Sequence, residues 1–411
     1  MKKILYLSAL FLILSVNTGA QNKYIITVDT KGSGDYKTIS EAVKSLPMFN
    51  YQRKIIKILN GVYNEKFKIE QDNITLLGES KDSTIIRFNQ LRESWKNNKD
   101  VIGPAVINLN GDDIIIKNLT VENTQPEIGP HAFVIYGTGT RTIILNCNLI
   151  SKGADTVSLW DYKTGMYYHA DCYFEGAVDF VCPRGWCFIK NSKFYEVKKT
   201  AALWHAGGFS KEQKFVIKNS YFDGVKDFDL GRHHYEAQFY LLNCTFSENM
   251  SNKKIFRVTY EDTTRNQAFN WGERYYFYNC RRIGGDYDWI KNNLSSAEGQ
   301  PSVDDITPAW TFNYKWDPES KEGPKLIKYE AAGEKLILLF DENITVIDDP
   351  ILVNDFNEEF NYSSGGGSDT IIFYSVSEIN KNDLKGLEIS KGRLLGTTAG
   401  IYEREAVLGI D

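Results

Sequence analysis

The tightest constraint on the fold is a degenerate repeat. Short β-prone runs end repeatedly on an Asn, or once an Asp, followed by a small or apolar pair. They are IIIKNLTV at Asn118, IILNCNLI at Asn146, HADCYF at Asp171, FIKNSKF at Asn191, VIKNSYF at Asn219, LLNCTF at Asn243 and FYNCRR at Asn279. Successive markers are 28, 25, 20, 28, 24 and 36 residues apart. A fixed slot between strands, with loops of unequal length, is what a right-handed parallel β-helix requires, because each coil stacks on the one before. Asn suits the slot: it tolerates left-handed backbone and its amide can ladder between coils. An antiparallel sandwich, the competing use of many short strands, produces no such register. The expected fold class is all-β, a right-handed parallel β-helix followed by a small β-sandwich.

Within the repeat lies GADTVSLWDYKTGMYYHADCYFEGAVDFVCPRGW, Gly153 to Trp186, with Asp155 and Asp179 in apolar surroundings. A carboxylate beside Val, Leu and Phe is out of place unless it is paired or working. Two carboxylates with different surroundings can be split, one ionised and one protonated, which is a minimal kit for breaking an ester or glycosidic bond. Turn or capping roles for both are the plain alternative.

The same residues carry a resemblance. GADTVSL resembles the G-Q-D-T-L segment of the pectinesterases, DCYFEGAVDFV their D-C-Y-I-E-G-x-V-D-F-I block, and GSGDYKTISEAV their opening. Gly61, Tyr63, Glu65 and Gly78 continue it, and it runs on to Trp310-Thr311-Phe312 and Lys315-Trp316-Asp317-Pro318. The resemblance implies a pectin lyase-like β-helix and a pectin methylesterase site. Asp179 would be the nucleophile and Asp155 the general acid, then base. Arg232, in Leu230-Gly231-Arg232, would hold the nucleophile ionised at low pKa; a structural ion pair is its plain alternative.

Departures from the family pattern are equally specific. Ala154 stands where the family has an oxyanion glutamine, and His131 where it has a second; a ring N–H of His131 can donate in its place, particularly when protonated. A packed histidine is the alternative. The proline and tryptophan after the family arginine are His233 and His234, and the aromatic three after the nucleophile is Cys182. Trp160, Tyr162 and Trp186 are candidates for a rebuilt sugar platform, with Tyr167 flanking them, and Arg184 a candidate for a neighbouring uronate carboxylate.

The net charge of −5 and the lack of a basic block argue against nucleic acid. A polyanionic pectin would therefore need local Lys and Arg at the cleft. Lys2-Lys3, the apolar Ile4–Val16 and Thr18-Gly19-Ala20 read as a cleaved export signal, residues 1–20, too short to span a membrane. The expected location is the bacterial periplasm, cell surface or exterior. Cys147, Cys172, Cys244 and Cys280 fall in equivalent slots and read as stacked small hydrophobes. Cys182 and Cys187 pair only if a turn brings them together.

A helix is expected from Thr38 to Ser45, with Ile39, Ala42 and Val43 as its apolar face. The β-helix domain is placed at 21–318, ESKEGPK reads as a linker, and 324–411 resembles the bacterial immunoglobulin-like sandwiches of secreted enzymes. No cofactor or metal is implied, and Asp112-Asp113 reads as a turn. The expected partner is pectin or a methyl-esterified oligogalacturonide, with the chain a monomer. Two alternatives remain: a catalytically impaired glycan-binding β-helix, for which Ala154 speaks, and a β-helix polysaccharide lyase, which would want a Ca²⁺ carboxylate cluster.

Overall fold

The computed structural model describes residues 23–409, so the expected export signal lies outside it. The repeat becomes a parallel β-helix of three walls. Ten parallel strands, from Ile25–Val28 to Tyr275–Tyr278, form one wall, and nine, from Gly61–Tyr63 to Arg281–Arg282, form the second. All seven marker residues lie in left-handed backbone, with φ between 48° at Asn279 and 58° at Asn118. Their side chains ladder as expected: Asn146 donates to Asn118 at 2.9 Å, Asn243 to Asn219 at 3.1 Å, and Asn279 to Asn243 at 3.0 Å.

Inward positions stack like on like. Phe174, Phe194, Phe222 and Phe246 follow one another at centroid spacings of 5.1, 4.3 and 5.6 Å. Burying each such ring stabilises by about 1.5–3 kcal/mol, so the stack fixes the register of successive coils. The helix Ile39–Ser45 closes the N-terminal end, with Ile39, Ala42 and Val43 buried and Thr38–Glu41 forming a capping box. Glu65 adds a second anionic cap, accepting from Ile39 N and Ser40 N at 2.8 and 2.9 Å.

The third wall is broken. Four strands, from Phe67–Ile69 to Val157–Leu159, form its first part and three, from Ala201–Trp204 to Phe256–Arg257, its second. Val181 bridges them, facing Val157 on one side and Leu203 on the other. The break is where the chain carries Asp179.

Outside the ten-stranded wall a second apolar layer forms, in which Leu294, Ile306, Phe312 and Trp316 cover Tyr168, Trp186, Phe188 and Tyr240. The C-terminal β-sandwich is one antiparallel sheet of six strands, from Leu326–Ala332 to Glu388–Gly396, folded over its own core of Leu336, Leu338, Phe360, Phe373 and Leu394. It is tied to the β-helix by Arg53, which is buried and donates to the carbonyls of Thr397 and Asp113. Asp113 therefore does more than turn the chain: its carboxylate also accepts from Arg141 and from Ala399 N.

All six cysteines are free. Cys147, Cys172 and Cys244 are buried, each with Sγ on the carbonyl two residues back, as stacked hydrophobes in one slot. Cys187 lies in the long wall while Cys182 faces Ser158 beside the break, so the two sit on different walls.

Candidate active site

Three turns of the helix deliver the charged groups: Asp155 and Asp179 lie on adjacent coils, and Arg232 lies two coils beyond Asp179. Asp155 precedes the strand Val157–Leu159, and its N–H bonds Val178 O one coil on; Asp179 N in turn bonds Ala201 O. Both aspartates hold left-handed backbone, φ 59° and 58°, and Val178 between them holds 45°. A β-branched residue at positive φ is a strained outlier, of the kind that gathers at functional sites. Arg232, on the strand Asp229–His233, reaches back 53 residues and grips Asp179 with two bonds, Nε to Oδ1 at 2.8 Å and Nη2 to Oδ2 at 2.9 Å. That fork-on-fork geometry fixes the carboxylate's plane as well as its charge.

The two carboxyls are pushed unequally. Burial lifts Asp155 to about 7, the nearby Asp179 charge adds to this, and Arg184, Arg92 and Arg232 pull against it. Burial also lifts Asp179 and outweighs its bonds to Arg232, which corrects the expectation of a depressed pKa there. Two bonds lower the carboxylate's energy, but they do not replace all the water it loses. Asp155, with no ion partner of that quality, is the member better able to keep a proton.

His131 sits beside Asp155, with Nε2 3.9 Å from Oδ2. Burial, Arg92 and Lys96 lower its pKa, so the protonated donor envisaged from the sequence is disfavoured and the neutral ring N–H is what it offers. Ala154 pairs with it across the coils and brings no polar side chain.

Arg184 lies between two indoles, its guanidinium carbon 3.7 Å from the Trp160 ring centroid and 4.7 Å from that of Trp204. Its Nη1 is buried without a partner. Trp160 in turn meets Tyr136 edge-on and bonds Ser158. Tyr162, 54% exposed, stands on the same loop as Trp160, edge-to-face with the exposed Phe209. His234 accepts from Trp204 Nε1 at 2.9 Å, stacks on Tyr260, and has its pKa lowered to about 4 by burial and then Arg232.

Two expected contacts are not part of this group. Trp186 is 5% exposed in the outer apolar layer, with its indole N–H on Glu212 O. It belongs to the long wall, whose outer face the 294–316 segment covers. His233 is fully buried, bonded to Tyr235 O and the Tyr275 hydroxyl. It alternates with Arg232 along the strand, so the arginine faces the carboxylates and the histidine faces in.

Residues unforeseen from the sequence also appear here. Trp204 lay in the apolar run TAALWHA, which reads as core. Arg92 opens the short helix Arg92–Asn97 and its N–H bonds His131 O, and nothing in its local sequence marks it. With Arg92, Arg184 and Arg232 around Asp155, the local cationic field required for a polyanion is present despite the negative total charge. Among the described residues, no group of three or more His, Cys, Asp and Glu side chains converges as metal ligands, and no helix is long and apolar enough to cross a membrane.

Residues 25–227 match the family model described as Pectinesterase. The chain carries a pectinesterase-family domain. Asp155 and Asp179 fall inside the matched stretch, and Arg232 lies just past its end. Pectinesterase 31 of Arabidopsis thaliana is 31% identical over 205 residues, which are 48% of this chain and 59% of that protein. A pectinesterase of Petunia integrifolia is 32% identical over 169 residues, 41% of this chain and 43% of its own length. The match thus spans roughly half the length of these curated pectinesterases. Among solved structures, a pectin methylesterase in complex with a hexasaccharide superposes with a TM-score of 0.58 at 21% identity, covering 72% of this chain and 99% of that one. The pectin methylesterase of Erwinia chrysanthemi gives 0.58 at 20% identity, covering 72% and 98%. These likenesses are of fold.

Proposed function

We propose that this chain is an exported pectin methylesterase that hydrolyses methyl esters of galacturonate. The observation that carries the reading is the split pair: Asp179 gripped by Arg232 beside Asp155, whose pKa stands at about 7. In the first step an Asp179 oxygen attacks the ester carbonyl. Collapse of the tetrahedral adduct breaks the bond to methoxide, and Asp155 passes its proton to it, releasing methanol. The product is a mixed anhydride between Asp179 and the uronate. Asp155, now a carboxylate, takes a proton from water as the oxygen attacks the uronyl carbonyl. The anhydride opens, Asp179 returns as carboxylate, and the uronic acid leaves, losing its proton to solvent.

Arg184, held between Trp160 and Trp204, is suited to a uronate carboxylate on a neighbouring sugar, with Tyr162, Phe209 and His234 as rim contacts. His131 is the candidate oxyanion donor. Losing such a donor costs about 10²–10³ in rate, so Ala154 favours a second reading, a glycan-binding β-helix of reduced activity. The two separate in one experiment on methyl-esterified oligogalacturonides, with methanol release and calorimetric binding measured together. Methanol release supports the esterase; binding without release supports the second reading and overturns the first. Within the esterase, His131→Ala should lower kcat by about 10²-fold, and His131→Gln should restore most of it.

A further inference from the structure

Beneath the Val178–Asp179 turn lies a carboxylic acid that the mechanism above does not use. Glu196 ends the strand Lys193–Glu196 and is fully buried. Its neighbours in register are Gly176 on one coil and Gly224 on the next, so no side chain competes for its space. At Gly224 a Cβ would lie 2.5 Å from Glu196 O and 3.0 Å from its Cβ. One oxygen of Glu196 accepts from Lys198 N at 3.0 Å and from the Thr200 hydroxyl at 3.2 Å. Thr200 Oγ1 in turn accepts from Val178 N at 3.1 Å. The second oxygen is buried with no partner.

The geometry points to Glu196 as a positioning residue for Asp179, holding the left-handed Val178–Asp179 pair from below through Thr200. The proposal rests on the esterase reading for its catalytic consequence. Two residues at positive φ, one of them β-branched, persist only where surrounding bonds over-determine them. Glu196 and Thr200 supply such a bond to the first N–H of the pair, and Ala201 O supplies one to the second, at 2.7 Å. Asp179 is the charged side chain whose field acts on Glu196 most; Lys198 bonds it through its main chain, and Gly176 and Gly224 bring no side chain. Burial pushes the Glu196 carboxyl up to about 9, and the Asp179 charge adds to this. Neutral Glu196 adds no second negative charge beneath Asp179, whereas an ionised one would oppose it.

The test uses the full chain with Glu196→Gln, Glu196→Ala and Thr200→Val. Hydrogen exchange at the peptide containing Val178 and Asp179 is read without substrate, and kcat and KM for methanol release are read separately. The proposal expects Glu196→Gln, a neutral isostere, to keep exchange protection and kcat near wild type. Glu196→Ala and Thr200→Val should lose the protection and drop kcat by about 10²-fold with KM little changed, the size expected for a nucleophile displaced by about 1 Å. If Glu196→Ala fails to fold, Thr200→Val decides. Unchanged protection in Thr200→Val overturns the proposal, as does a Glu196→Gln variant as impaired as Glu196→Ala. A wild type that releases no methanol counts against the esterase reading alone, because the exchange result still stands or falls by itself.

Discussion

Along the asparagine slot, seven residues from Asn118 to Asn279 hold left-handed backbone, and across the broken third wall Asp155, Val178 and Asp179 hold the same conformation. In the slot the device is cheap and cooperative. Neutral amides bond coil to coil, and Asn tolerates the conformation. In the third wall the residues are two acids and a valine, and acids cannot ladder, since like charges repel. Arg232 takes one carboxylate and the other is left to hold a proton. Val178 adds strain that the slot avoids, of order 1–3 kcal/mol. One backbone device thus builds the scaffold where amides bond across the coils, with Asp171 accepting from the neighbouring Asn191, and a reactive pair where two acids meet.

Exchanges that move one region toward the other probe this contrast. The largest effect is expected for Asp179→Asn, which turns the nucleophile into a slot residue. Asn occupies this conformation six times in the repeat, so thermal unfolding should stay near wild type while kcat falls by at least about 10³-fold. Asp155→Asn should cost about 10²–10⁴-fold, the usual worth of a positioned acid–base group. It should also flatten the pH profile: with Asp155 raised to about 7, wild-type methanol release should fall as pH rises through that value. Stability carries the same sign. The folded chain holds the Asp155 proton more tightly than the unfolded chain, so this contribution is complete below the ordinary carboxylate range and is lost as pH rises through about 7. Melting curves of Asp155→Asn should lack that loss.

Arg232→Lys keeps a charge but not the two-bond grip, and should lower kcat by about 10²-fold with little change in KM. The smallest catalytic effect is expected in the slot. Asn219→Ala removes the acceptor for Asn243 and places Ala in left-handed backbone at a cost of about 1–2 kcal/mol. Unfolding should come at lower temperature, with kcat unchanged. An Asn219 variant that loses activity while its melting temperature holds would break the comparison.

Much of the scaffold was legible because its signals are local. Each marker Asn or Asp sits at its own turn, Thr38 and Glu41 cap the helix at its first turn, and Cys147, Cys172 and Cys244 repeat with the coils. Asp155, Asp179 and Arg232 were legible through the family pattern they share, and their convergence follows from coil stacking. Misreadings arose where distant chain decides exposure. Trp186 looks like a cleft aromatic until residues 294–316 fold over its face, and His233 is turned inward by the alternation that turns Arg232 out. Trp204 and Glu196 were missed because neither belongs to the family segments or the repeat markers, Trp204 standing in the apolar run TAALWHA and Glu196 in KFYEVKK. Glu196 follows Phe194 by two and so shares its inward face, the one signal that could have found it.

The central claim is that Asp179 becomes acylated. The most direct measurement is turnover of methyl-esterified oligogalacturonide with hydroxylamine present, followed by mass spectrometry of the peptide containing Asp179 and of the sugar product. A mixed anhydride has two carbonyls open to attack, so the account predicts a hydroxamate on Asp179, on the released uronate, or on both, formed only during turnover and absent in Asp179→Asn. Steady methanol release with neither hydroxamate would contradict it.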